Sequence, residues 1–181
     1  MYYVDDGPLL EKALAEKAVI GWIGKHGNVI NNAAGSFFFL SEILINKELI
    51  YDVPADNLCE TCRICIDACP TGAIYEEYKV DANLCISYHT IENKNEIPSY
   101  INLSGWIFGC DVCQDVCPFN KKKFLTEEER FYPLKEVFNK PHSELLEITE
   151  EKFIDLFNNS PVKRTKYSGW KRNLKQAFLN K

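Results

Sequence analysis

Apolar residues recur at helical spacing mainly near the two ends of the chain. Leu9, Leu10, Ala13, Leu14 and Ala18 share one side against Glu11, Lys12, Glu16 and Lys17, which predicts a helix. Asp6 or Gly7 stands at the N-cap position, with Pro8 at the first helical residue, and Tyr2–Val4 before them reads as a short extended piece. The period is lost from Gly21 to Ile30. Gly21, Gly24 and Gly27 predict a turn or a close backbone approach, with Lys25 and His26 as solvated loop residues. Asn31–Gly35 is a polar turn, Ser36–Ile45 an apolar run suited to a strand or a buried helix with its aromatics in the core, and Ile50–Asn57 a linker. Thr71–Ile74 reads as a turn and Tyr75–Val80 as a strand. Toward the end, Leu134, Val137 and Phe138, then Leu145–Phe157, predict amphipathic helices, although Thr149 lacks the acidic partner of a capping box.

The middle of the chain is organised by cysteine instead. All eight cysteines lie between Cys59 and Cys117, and the first four form C-x2-C-x2-C-x3-C-P through Pro70. That spacing is how bacterial-type ferredoxins hold a cubane iron–sulfur cluster while lending the fourth thiolate to a second one. Cys62, Cys65, Cys69 and Pro70 recur as Cys110, Cys113, Cys117 and Pro118, with Cys85 supplying the ligand that the second half lacks. Cross-ligation then assigns Cys59, Cys62, Cys65 and Cys117 to one [4Fe-4S] cluster and Cys69, Cys85, Cys110 and Cys113 to the other. Ile64, Ile66, Ile74, Ile86, Ile91 and Val112 supply apolar packing around them. Disulfides are the poorer reading, because bunched thiols in a chain without an export signal have metal-ligand spacing. Zinc sites would use paired C-x2-C units but leave the third cysteine and the proline of each run without a purpose.

Charge separates the tail from the body. Through Asp155 there are 14 basic and 26 acidic residues, and beyond it seven basic and no acidic ones, for a net charge of −5 over 181 residues. The acidic body argues against broad nucleic-acid binding, but the mixture of basic and aromatic residues from Lys163 to Lys175 suits either RNA or a solvated helix face. Gly24-Lys25 lacks the context of a phosphate-binding loop. The most apolar stretch is broken at Ser41 and Glu42, so no membrane span is expected and the cytoplasm is the expected compartment.

Further motifs accompany the cysteines: Val4-Asp5, Pro8-Leu9-Leu10-Glu11-Lys12, Gly21-Trp22-Ile23-Gly24-Lys25-His26, Gly35-Ser36, Cys85-Ile86-Ser87-Tyr88, Thr90-Ile91-Glu92 and Gly109-Cys110-Asp111-Val112-Cys113-Gln114. Together they resemble epoxyqueuosine reductase, a cobalamin-dependent two-cluster enzyme of tRNA queuosine synthesis. The resemblance implies an α+β fold, a ferredoxin-like two-cluster module flanked by a partial cobalamin-binding α/β segment and a C-terminal helical segment. The expected divisions are 1–52 for part of the cobalamin-binding and catalytic domain, 53–123 for the clusters and 124–181 for the helical segment with its basic tail. Family members carry a long region before the Val-Asp motif, so the chain reads as a C-terminal portion. It departs from the family's usual residues at Phe37, His89, Trp106 and Phe119.

Carried over by position, Asp5 matches the proposed proton donor. Val29, Leu40, Ser87, Cys110 and Asp111 match corrin contacts, and Lys94 matches a tRNA contact. Lys163, Arg164, Lys171 and Arg172 become the expected tRNA contacts of the tail. The implied reaction takes electrons from an external flavodoxin- or ferredoxin-type donor through two [4Fe-4S] clusters to cobalamin. It reduces epoxyqueuosine in tRNA to queuosine, with loss of water, in a monomer. A free-standing two-cluster electron carrier and a reductive dehalogenase-like enzyme are the alternatives.

Overall fold

In the computed structural model, which describes residues 7–53, 56–121 and 125–179, short elements are held together by side chains reaching between them. Helix α1 (Glu11–Lys17) forms over the predicted period and buries Ala15, but starts without a side-chain cap at Leu10. The expected cap residue Asp6 and the extended piece Tyr2–Val4 lie outside the described residues. Val19 at φ +55° turns the chain out of the helix into an antiparallel hairpin, β1 (Trp22–Ile23) and β2 (Val29–Ile30), with Trp22 opposite Ile30. The predicted close approach is at Gly21, where a Cβ would stand 2.0 Å from the Ile30 carbonyl oxygen. Helix α1 clamps the hairpin: Glu16 accepts the Ile23 N–H at 3.0 Å, and Lys12 donates to the Gly27 carbonyl at 2.8 Å.

The run Ser36–Ile45 forms neither the expected strand nor a buried helix. Through Val53 the described chain has no regular structure, and Phe39, Ile43 and Ile50 are 86%, 86% and 99% exposed. The reason is physical: a strand needs a hydrogen-bonding neighbour and a facing layer, and among the described residues nothing provides either. Phe39 stacks on Phe131 at 5.7 Å, which is a surface contact and not a core.

The cysteine repeat is visible in the backbone. Helices α2 (Ile64–Asp67) and α4 (Val112–Asp115) begin after Arg63 at φ −127°, ψ 7° and Asp111 at φ −104°, ψ 9°, and they pack on each other. A bulged hairpin, β3 (Ile74–Glu76) and β4 (Lys79–Val80), follows the first, in place of the single predicted strand. Helix α3 (Ile86–Ile91) then packs Ile86 into a core with Ile97, Ile101, Leu103 and Ala177. Ile74 and Ile86 are buried as expected, whereas Ile64 is exposed.

Beyond Leu134 only a turn forms where a helix is expected, because Asn139 at φ +56° and then Pro141 interrupt it. Helices α5 (His142–Leu146), α6 (Glu150–Phe157) and α7 (Lys166–Leu179) close around Leu145, Phe153, Phe157, Trp170 and Leu174. Thr149 does cap α6, accepting the Lys152 N–H at 3.3 Å without a capping box. The architecture is mixed α+β. Among the described residues no helix is long and apolar enough to cross a membrane.

Candidate metal centre and adjoining cavity

All eight cysteines are free thiols, so the fold does not use them as disulfides. Their thiols act on one another across the two cysteine runs. Burial raises Cys65 to about 11, reinforced by the charges of Cys117, Cys59 and Cys62. Burial likewise raises Cys113 to about 12, with Cys110, Cys65, Cys69 and Cys85 adding to it. Burial alone would raise Cys69 as well, but the N–H groups of Ile74, Thr71 and Ala73 and the Thr71 hydroxyl hold it below the usual thiol range. Such mutual repulsion is what thiols experience without a cation, and a bound metal reverses it. Eight thiols are the donor set of two cubanes, each of which binds one thiolate per iron. Among the described residues no three Cys, His, Asp or Glu close on a single ion.

Around these thiols the Gly21–His26 loop is buried, contrary to its expected solvation. Lys25 is only 2% exposed: its ammonium donates to the Glu60 carbonyl at 2.6 Å and pairs with Glu77 at 2.8 Å. The Glu77 hydrogen bond outweighs desolvation and keeps Lys25 above its ordinary pKa. Glu60 sits at φ +38° in the first cysteine loop, so Lys25 secures a backbone position that a non-glycine residue rarely adopts. His26 is 6% exposed and lowered to about 4, first by burial and then by the Lys12 charge. Its Nδ1 accepts the Asn28 N–H at 3.2 Å, leaving Nε2 as the N–H nitrogen, which is buried without a partner.

His26 lines a cavity of about 520 Å³ together with Cys69, Cys85, Ser87, Cys110 and Asp111. A second cavity, of about 420 Å³, contains Val29 and Phe37–Phe39, and Asn28 and Gln114 belong to both. Of the expected corrin contacts, Ser87, Cys110 and Asp111 therefore share one cavity and Val29 lines its neighbour, whereas Leu40 lines neither. Asp5 lies outside the described residues.

The tail is bound to the cysteine module. Arg172 donates to the carbonyls of His89, Asn93 and Asn95, and Lys171 to that of Leu146. Lys94 donates to the Arg164 carbonyl at 3.1 Å, while Arg164 pairs with Glu92 at 3.0 Å and Lys163 reaches Asn158. Lys94 and Arg164, distant in sequence, thus meet on one exposed edge, whereas Lys171 and Arg172 serve as staples.

Two residues that pattern does not single out hold this site together. Asn120, 2% exposed, accepts the Ser36 N–H at 2.7 Å and donates to the Gln114 carbonyl at 2.7 Å. It sits against Gly35, where a Cβ would come within 1.9 Å of the Asn120 side-chain oxygen. Asn173, fully buried, donates to the carbonyls of Thr90 and Ile107. Neither stands out in the sequence, since Asn120 lies between Phe119 and Lys121 and Asn173 between Arg172 and Leu174, settings as common on surfaces.

These elements define an α+β protein built on an iron–sulfur type of domain with a helical region behind it. Residues 58–120 match the family of 4Fe-4S double cluster binding domains. The chain is 48% identical over 174 residues to the epoxyqueuosine reductase of Cellulophaga algicola, covering 95% of this chain and 57% of the relative. To that of Escherichia coli it is 44% identical over 180 residues, covering 98% and 48%. It superposes with a TM-score of 0.88 and 32% identity on an epoxyqueuosine reductase crystallised with an epoxyqueuosine-modified tRNA-Tyr stem loop, covering 98% and 48%. The Bacillus subtilis reductase, solved with its catalytic aspartate loop swung out of the active site, gives 0.87 and 31% identity, covering 96% and 47%. The chain is a homologue of the epoxyqueuosine reductases, and it spans about half the length of the relatives it matches.

Proposed function

We propose that this chain is the electron-delivering portion of an enzyme that reduces epoxyqueuosine in tRNA to queuosine. The observation that carries the reading is eight free cysteines, at ferredoxin spacing, within a chain that is 44–48% identical to epoxyqueuosine reductases. Cys59, Cys62, Cys65 and Cys117 hold one [4Fe-4S] cluster, and Cys69, Cys85, Cys110 and Cys113 the other, within residues 53–123. Bound there, the clusters would supply one-electron transfer and cobalamin the reducing chemistry toward the epoxide. Opening the epoxide to the alkene takes two electrons and two protons and releases the oxygen as water. Residues 1–52 contribute to the cobalamin-binding part, with Val29, Leu40, Ser87, Cys110 and Asp111 toward the corrin.

Asp5 gives the proton to the departing oxygen, a role supported by the resemblance of its Val4-Asp5 motif to that of the family. The tRNA backbone meets the exposed edge of Lys94, Lys163 and Arg164, while Lys171 and Arg172 fix the helix that presents it. A flavodoxin- or ferredoxin-type protein of the cytoplasm supplies the electrons, and the enzyme works as a monomer.

A chimaera in which this chain replaces the matching half of the Escherichia coli reductase tests the reading. Given cobalamin, reductant and an epoxyqueuosine-containing stem loop, it should form the nucleoside with one oxygen fewer, and Asp5→Asn should block this without loss of cofactors. A cofactor-loaded chimaera that reduces cytochrome c but leaves the stem loop unbound and unchanged would make the chain a free-standing carrier instead.

A further inference from the structure

The Gly21–His26 loop has no counterpart in the spacing of a simple two-cluster ferredoxin, and its two buried polar groups converge on one side of the cysteine module. The indole N–H of Trp22 donates to the sulfur of Cys59 at 3.4 Å, with both residues buried. Its ring is fixed edge-on to Phe119, centroids 4.9 Å apart, two residues beyond Cys117. Trp22, Ile30, Cys59 and Cys117 form one core cluster, so the sulfur that receives this bond is shielded from water. Lys25 places its ammonium on the carbonyl of Glu60, the residue after Cys59, and the Cys59 charge acts on it.

We propose that Trp22 and Lys25 are positioning residues that raise the reduction potential of the cluster held by Cys59, Cys62, Cys65 and Cys117. The inference rests on the iron–sulfur reading and deepens it. Reduction adds one negative charge to a cubane and its thiolates. An N–H donor on a ligand sulfur and a buried cation beside the ligand loop both stabilise that extra charge, and hydrogen bonds to sulfur are an established lever on cluster potential. The neighbouring quartet has donors of its own, the N–H groups of Ile74, Thr71 and Ala73 and the Thr71 hydroxyl on Cys69 and the Val112 N–H on Cys110, whereas the Trp22 indole and the Lys25 ammonium act at Cys59 and its loop. The Gly21–His26 loop, which lies outside both halves of the repeat, thus acts on one of them.

The test is a redox titration of the anaerobically reconstituted full chain, followed by electron paramagnetic resonance, with iron counted in each sample. Trp22→Phe keeps the ring against Phe119 and removes only the donor. Lys25→Met removes the charge, and Lys25→Arg restores it. The expected result is an unchanged iron content, one of two reduction steps moved to more negative potential in Trp22→Phe and in Lys25→Met, the other step unmoved, and recovery in Lys25→Arg. Both steps unmoved in Trp22→Phe at full iron content would overturn the proposal. Loss of one cluster's iron from both Trp22→Phe and Lys25→Met would overturn it equally, since these residues would then hold the cluster and not tune it. Wild-type protein that takes up no iron would instead sink the cluster reading on which this one rests.

Discussion

Asn120 is a residue on which two distant parts of the chain depend. Its amide satisfies the Ser36 N–H and the Gln114 carbonyl, linking the hairpin unit to the second cysteine run. Asn120→Ala leaves both buried groups without partners, at about 1–3 kcal/mol for each. A lower thermal midpoint should follow, together with weaker cluster retention because Cys117 lies three residues away. His26 makes a different prediction. Its folded pKa of about 4 lies below the unfolded value of about 6.5, so between these limits the unfolded chain binds the extra proton and stability falls as the pH is lowered. The loss approaches about 3 kcal/mol near the lower limit. Urea midpoints of wild type should decline from pH 7 to pH 4.5 more steeply than those of His26→Gln; parallel curves would mean that His26 is charged in the fold. The cysteines are legible residue by residue because their spacing has one main chemical use. The burial of Lys25 and His26 is not, because a loop sequence does not reveal that Glu77 and the Glu60 carbonyl will meet it.

Among elements, helix α7 is legible as a basic, aromatic segment, but its contacts are not. A helix face that donates to carbonyls and one that waits for phosphates have the same composition. The structure separates them. Arg172→Ala removes donors from three carbonyls and should lower the thermal midpoint. Lys163→Ala with Arg164→Ala removes the exposed contacts to Asn158 and Glu92, worth less than about 1 kcal/mol, and should leave the midpoint nearly unchanged. In the chimaera, Lys94→Ala, Lys163→Ala and Arg164→Ala together should weaken tRNA binding and lower the slope of log affinity against log salt by roughly one for each phosphate no longer neutralised. An unchanged slope would remove this edge from the tRNA interface. The apolar run after Gly35 fails as a strand because periodicity reports what a segment can pair with, and not whether a partner is beside it.

The whole molecule is two quartets of cysteines related by an internal repeat, exchanging Cys69 and Cys117 under the proposed ligation, and buttressed on one side by the α1–hairpin unit and on the other by α7. The repeat is legible in full, down to the matching starts of α2 and α4, since cluster ligation dictates local backbone as well as spacing. The packing around it is not, because Asn120, Asn173 and Arg172 act across long sequence separations. Everything proposed for the chain depends on the quartets holding two cubanes. Iron and acid-labile sulfide should be counted in the reconstituted chain and in its cysteine variants, with Mössbauer spectra of each. Wild type should hold about eight irons as [4Fe-4S], and Cys62→Ala and Cys117→Ala should each lose the same cluster while Cys85→Ala loses the other. About two zincs per chain, or a Cys117→Ala variant that loses its iron in company with Cys85→Ala, would contradict it.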